Sequence, residues 1–258
     1  MARRIVRVFG RAERDTIGLM PQPSPRARRL LTGFLLLLVT AFLALGAWQV
    51  QRLFWKLDLI ARVDSRVNAD PVPTPARAEW PEITREKDEY RRVTATGLFQ
   101  HDRTVLVQAV TERGAGFWVL TPLRLPDETI VLINRGFVPA DRREPADRIA
   151  SELAAGPVAV TGLLRLSEPG GAFLRANDPA GDRWFSRDVA AITAAKGLTD
   201  VAPYFIDADA TANPGGLPVG GMTVIAFRNS HLVYALTWFA LAAMSAAAVW
   251  AVHRRKLV

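Results

Sequence analysis

Histidine is scarce in this chain, and one of its three copies stands where it could hold a ligand. His231 follows Phe227-Arg228-Asn229-Ser230 and opens a long uncharged run. On a helix, Tyr234, Ala235 and Trp238 share its face at i+3, i+4 and i+7. A neutral imidazole is a good metal ligand, including for haem iron. Ala235 would leave room for a flat ring, Tyr234 and Trp238 could pack on it, and Arg228 could meet propionates. A plainer reading uses the same residues. Asn229 or Ser230 caps the helix, His231 is a tolerated polar residue, and Tyr and Trp belong to the membrane interface. The residue types leave both open. His101, beside Asp102, reads as a solvated turn residue, and His253 belongs to a basic flank, so a second axial ligand is unassigned. With no cysteine, the chain has no thiolate metal site, iron–sulfur cluster, disulfide or cysteine nucleophile. Three histidines leave almost nothing for a multi-histidine zinc site.

A second pattern is Asp207-Ala208-Asp209-Ala210-Thr211, which follows the apolar run Tyr204-Phe205-Ile206. A strand followed by D-x-D-x-T resembles the nucleophile motif of the haloacid dehalogenase phosphatases. There one aspartate attacks phosphorus and the next moves a proton beside magnesium. That chemistry needs later carboxylates for the metal and a later lysine. No Asp or Glu follows Asp209, and the only later lysine is Lys256, at the far end of the chain. A strand end and turn is the better reading, with a membrane-anchored phosphatase kept as the remote alternative. Arg135 stands in Asn134-Arg135-Gly136, after the strand-like Ile130–Ile133 run. Gly136 implies a sharp turn there, with Arg135 bracing it or forming a structural ion pair. No P-loop, GxGxxG, HExxH or GxSxG occurs.

The elements that carry these residues begin with two membrane spans. Residues 30–48 and 232–252 contain no charged side chain, and about 20 apolar residues cross a bilayer core. Trp48 and Trp250 lie near span ends, where indole rings favour the interface. The net charge of +8 is terminal: residues 1–29 carry eight arginines, the tail carries Arg254, Arg255 and Lys256, and the middle is near neutral. A nucleic-acid-binding domain would carry its basicity on the folded body, so nucleic acid is excluded as a partner. The lipid bilayer is the partner implied. By the positive-inside rule both termini are cytoplasmic, and the stretch between the spans lies on the other side. The division is a basic segment 1–29, a first span 30–48, an extracytoplasmic domain 49–230, a second span 231–252 and a basic tail 253–258. A cleaved signal peptide would need a shorter apolar core than the first span. An arginine-rich transit peptide is the other rival. Arginine outnumbers lysine 29 to 4, which points to a GC-rich bacterial coding sequence. The location is then the bacterial inner membrane, or the mitochondrial inner membrane in a eukaryote.

Between the spans, residues 49–68 read as a helix leaving the membrane, with Leu53, Leu57, Ile60 and Val67 at helical spacing. Pro71, Pro73 and Pro75 read as an extended linker. Strands are expected at Arg92–Phe99, Thr104–Val110, Phe117–Leu125, Thr129–Asn134, Val158–Leu166, Tyr204–Asp207 and Met222–Phe227. Helices are expected near Pro145–Ala155 and Ser186–Lys196. The class is a β-rich α+β domain between two transmembrane α-helices. Register is invisible in sequence, so an open sheet and a partly closed antiparallel barrel both remain.

Several motifs, in order, resemble those of the surfeit-locus (SURF or Shy-type) family of cytochrome c oxidase assembly factors. They are Gly46-Ala47-Trp48-Gln49 with Arg52, Lys56, Leu59 and Ile60; Tyr90-Arg91-Arg92-Val93 with Gly97 and Phe99; and Asn134-Arg135-Gly136-Phe137-Val138-Pro139, with Phe137 where Trp is usual. Asn177-Asp178-Pro179 with Trp184-Phe185 and Arg187-Asp188 follows, then Pro203–Ala208. Arg228-Asn229, His231-Leu232, Tyr234-Ala235 and Thr237-Trp238 complete the set. The resemblance covers about residues 30–250. It implies a non-enzymatic role in maturing a haem–copper oxidase: taking haem a from haem a synthase and presenting it to oxidase subunit I. It further implies His231 as the haem a ligand, with Arg228, Tyr234 and Trp238 as contacts, and Asp207 as a strand end. A haem-free scaffold that holds an assembly intermediate is the alternative.

Overall fold

The computed structural model describes residues 24–152, 156–172 and 174–254. Most of the basic N-terminal cluster and the end of the basic tail lie outside the described residues. The chain divides into two units, residues 1–57 with 228–258 and residues 58–227.

The first unit is a helix pair. Helix α1, Pro25–Val67, runs unbroken through the first apolar run and on through the stretch expected to leave the membrane. A terminal helix, His231–Arg254, carries the second run. Both are long and apolar enough to cross a bilayer. Their contacts run in opposite directions along the two helices: Gln49 meets His231, and Phe42 stacks on Trp238 at 5.6 Å between ring centroids. The pair is therefore antiparallel. The terminal helix turns small residues inward, Ala235, Ala242 and Ser245. On α1, Gly46 receives the Phe239 ring where any side chain would collide with it. Small residues at such contacts let helix backbones approach closely.

The second unit is built on strands β1 (Val72–Pro73), β2 (Arg92–Phe99), β3 (Val105–Thr111), β4 (Gly114–Arg124), β5 (Ile130–Pro139), β6 (Val158–Leu166) and β7 (Val201–Ala208). Their order is β1-β2-β6-β7-β5-β4-β3, and β2 also pairs with β4. That extra pairing, Leu98 to Arg124 and Phe99 to Leu123, closes β2, β6, β7, β5 and β4 into a five-stranded barrel. Gly97 permits the closure, because a Cβ there would stand 2.2 Å from the carbonyl oxygen of Arg124. Four of the five barrel pairings are antiparallel and one, β5 with β7, is parallel. The short helices of this unit are α2 (Arg85–Asp88), α3 (Ile149–Glu152) and α4 (Val189–Ala195). The terminal helix is α5.

Alternation along the strands makes two cores. Val93, Leu123, Val131, Ile133, Val160, Leu164, Tyr204 and Ile206 point into the barrel. Leu120, Leu132 and Phe205 point outward and pack with Val105, Val107, Trp184, Val189 and Ile192, so β3, α4 and the Trp184 segment cover the outer wall. The open edge of β3 is partly capped by Trp184, whose carbonyl accepts the N–H of Gln108 at 2.8 Å. Asp188 caps α4 by accepting the N–H of Ala191 at 3.1 Å.

Two expectations need correction. Met222–Phe227 is not a strand. β5 has an open edge only beyond Asn134, where Val219 pairs with Phe137; over Ile130–Asn134 that edge belongs to β7, so none is left for 222–227. The Pro71–Pro75 stretch is more than a linker, since β1 pairs with β2 in parallel. A further difference is that β5 runs past Asn134 to Pro139, through a bulge. Between the pairs Trp118–Phe137 and Leu120–Asn134, Val119 alone faces Arg135 and Gly136. Gly136 holds φ +128°, and a Cβ there would lie 2.1 Å from the Val219 carbonyl oxygen. The 218–220 segment crosses at that point, with Phe137 and Val219 exchanging two backbone hydrogen bonds of 2.9 Å.

Gly136→Ala should cost about 2–5 kcal/mol, combining strained φ with overpacking. Thermal melting checks it: a midpoint equal to wild type would contradict this account of the crossing.

Candidate functional site

His231 is half-buried at the first turn of α5. Its Nδ1 lies 2.8 Å from Gln49 Oε1 on α1. An amide oxygen only accepts, so Nδ1 donates, and the neutral ring then has its lone pair on Nε2. An oxygen that accepts from the other ring nitrogen commonly fixes a ligand imidazole in this way. Ala235 is buried one turn on, and Trp238 lies on the same side, against Phe42. Tyr234 does not join them: it is 55% exposed. Arg228, before the helix, is exposed too. The structure thus gathers His231, Ala235 and Trp238 with Gln49, and leaves Tyr234 and Arg228 outward. Gln49 stands among the family-like motifs, but no local signal marks it as a partner of a residue 182 positions away.

Asp207 occupies a different setting, on the outer face of the barrel near the end of β7. Its carboxylate is buried and accepts four side chains: Asn134 Nδ2 at 2.7 Å, Arg165 Nη1 at 2.9 Å, Arg187 Nη1 at 3.0 Å and Thr223 Oγ1 at 3.0 Å. Glu168 holds Arg187 from the other side at 2.6 Å and 3.0 Å. Burial works to lower the Arg187 pKa, but Asp207 and Glu168 outweigh it and hold the pKa above the usual value. A carboxylate tied to two guanidiniums, an amide and a hydroxyl has no lone pair to spare for phosphorus. Asp209 is turned to its own turn, accepting the N–H of Thr211 at 3.0 Å. Among the described residues no group of three potential acidic, histidine or cysteine ligands could hold a metal ion. The D-x-D-x-T stretch is therefore a strand end, fixed by a polar network that also pins the 222–224 segment through Thr223.

Arg135 is not on the surface, and among the described residues it makes no ion pair. It is 4% exposed, and Nη2 donates to the Ser151 carbonyl at 3.1 Å and to Asn213 Oδ1 at 3.3 Å. Its guanidinium lies over the Phe99 ring, 4.9 Å from the centroid, and Nη1 is 3.4 Å from His101 Nδ1. Burial pushes its pKa down to about 10, which leaves it cationic at neutral pH. His101 is correspondingly not a solvated turn residue: burial first, then the Arg135 charge, lower its pKa from 6.5.

Residues 36–243, which take in His231, Gln49, Asp207 and Arg135, match the SURF1 family. The chain belongs to the SURF1 family. Surfeit locus protein 1 of Homo sapiens is 37% identical over 228 residues, covering 81% of this chain and 72% of that protein. A SURF1-like protein of Monosiga brevicollis is 36% identical over 226 residues, covering 82% and 83%. One from Drosophila melanogaster is 33% identical over 229 residues, covering 81% and 73%. SURF1 membership and the two apolar helices together fit a membrane-anchored protein.

Asp207→Asn leaves two buried guanidiniums short of an anion and should cost about 3–5 kcal/mol. The melting midpoint should then fall by roughly 10 °C, and an unchanged midpoint would make the network incidental. For His101 the folded pKa lies below the unfolded value of 6.5. Its contribution to stability is complete above that value. It is lost as pH falls from 6.5 through the folded pKa, because only the unfolded chain takes up the proton. In melts between pH 7.5 and 5, His101→Asn should lose less stability on acidification than wild type; parallel curves would refute this.

Proposed function

We propose that this chain is a non-enzymatic assembly factor for a haem–copper cytochrome c oxidase, and that it holds haem a through His231 for delivery to subunit I. SURF1 membership supports the oxidase-assembly role. The observation that carries the haem part is the 2.8 Å bond from His231 to Gln49. In the neutral ring it favours the tautomer with Nε2 free to ligate, and it holds the ring against rotation. Haem a, if bound, would supply an iron that a neutral imidazole can ligate, and His231 would be the residue to hold it.

The rest of the chain's own chemistry agrees with such a cargo. Ala235 presents only a methyl beside the imidazole, and Trp238 and Phe42 make an aromatic surface one to two turns further on. Arg228, exposed at the polar end of α5, is free to form charge-assisted bonds with propionates, and Tyr234 is available on the outer side. An isoprenoid tail gains about 0.8 kcal/mol for each CH₂ buried in lipid, so a ligand at a span end suits an amphipathic porphyrin. One protein ligand to the iron makes hand-over from haem a synthase to subunit I a matter of exchanging few bonds. The setting is the bacterial inner membrane, or the mitochondrial one in a eukaryote, with both termini cytoplasmic. The antiparallel helix pair supports this, since Ser24 and Arg254 leave it at the same end.

The test is the visible spectrum and extracted haem of the detergent-purified chain, co-expressed with the enzymes of haem a synthesis. Wild type should carry haem a near one per chain, and His231→Ala at least about tenfold less, with oxidase maturation lost in parallel. Full occupancy in the variant would overturn the ligand assignment. Colourless wild type at full yield would favour the haem-free scaffold, with His231 serving only to pair the helices.

A further inference from the structure

The interior of the barrel ends differently at its two mouths. Where β5 and β7 begin, Tyr204 fills the space and donates its hydroxyl to the Pro75 carbonyl at 3.2 Å, with Trp80 and Ile83 packed beside it. Where the same strands end, a cleft of about 170 Å³ remains. About half of its lining is apolar, from Phe99, Ile133, Val158, Val160 and Ala208, and the polar remainder includes Arg135, Thr161 and the 211–214 segment across one side. Arg135 lines it, 4% exposed, with its Nε–H unpartnered.

That guanidinium has no carboxylate partner among the described residues. The nearby acid, Glu152, is engaged by Arg148 at 2.8 Å. The partners of Arg135 are a carbonyl, an amide oxygen, an imidazole and an aromatic ring, all uncharged. Burying a charge without an opposite one is costly, and an apolar residue of similar size would usually serve stability better. A guanidinium kept there is suited to an anion from outside, and its unpartnered Nε–H is the donor left to meet one carboxylate oxygen.

We propose that this mouth of the barrel binds a small monocarboxylate, with the carboxylate on Arg135 and a short apolar stem among Phe99, Val158 and Val160. The size fits: an apolar cavity of about 150 Å³ accommodates a benzene ring, so this cleft takes about six non-hydrogen atoms. A dianion is excluded by charge, because the single guanidinium would leave its second negative charge unpaired. Asp209, the acid on the rim, is held by the N–H of Thr211. The proposal is independent of the haem a reading, which rests on the helix pair.

The test titrates the full chain in detergent with sodium butanoate, and separately with 1-butanol, by calorimetry. Wild type should bind butanoate saturably at one site, with the alcohol at least about tenfold weaker. Arg135→Met should abolish butanoate binding while keeping or raising the melting midpoint, an outcome that a purely structural brace would not give. Ala208→Leu, which fills the cleft and leaves Arg135 in place, should also abolish binding, and decides the matter if Arg135→Met does not fold. No saturable butanoate binding in wild type, equal binding of the alcohol, or unchanged binding in either folded variant would overturn the proposal.

Discussion

One extra residue in β5 sets the layout of this domain. Val119 faces both Arg135 and Gly136, and around that bulge three consecutive side-chain positions receive three destinations. Asn134 points outward to Asp207, Arg135 points inward to the end of the barrel, and Gly136 gives way to the crossing 218–220 segment. An unbulged strand would send Asn134 and Gly136 to one face and could not admit the crossing there. The polar network outside, the buried cation inside and the anchored return toward α5 all pass through this point. Bulges re-aim side chains at the rims of barrels, and this one does so for two clusters at once.

The two arginine clusters on either side of the wall obey the same electrostatics and reach different balances. Outside, Arg165 and Arg187 are matched by Asp207 and Glu168, so charge is neutralised within hydrogen-bonding distance. Inside, Arg135 shares its surroundings with the Arg148–Glu152 pair and an imidazole held neutral, which leaves a net positive charge. The helix pair uses polar groups more sparingly, with one imidazole–amide bond set among alanines, a glycine and aromatic rings.

Much of this architecture was legible in the sequence where a pattern was local. β2 and β6 run over Arg92–Phe99 and Val158–Leu166, the bounds that alternation and flanking turn residues indicate. The two spans were legible from uncharged length alone. The full length of β5 is hidden because Asn134-Arg135-Gly136 looks like a turn, and a bulge and a turn share that chemistry. Met222–Phe227 has strand-like composition, but whether a partner edge exists depends on closure, which no single strand encodes. The His231 face was partly legible: a step of three residues lies about 60° to one side of a helical face and a step of four about 40° to the other. A narrow helix–helix contact can keep one and lose the other, and here it keeps Ala235. Gln49, Arg165 and Arg187 reach their partners only through tertiary folding, so residue spacing could not announce them.

The closed barrel also limits how other proteins can engage the domain. A sheet usually offers partners its unpaired backbone edges, which is how strand addition works. Here closure consumes the barrel edges, β1 is two residues long and ends in Pro73, and Trp184 lies along part of β3. Little backbone is left as a template for a foreign strand. The domain is thereby guarded against edge-to-edge aggregation, and any partner must recognise it by side chains and loop tips.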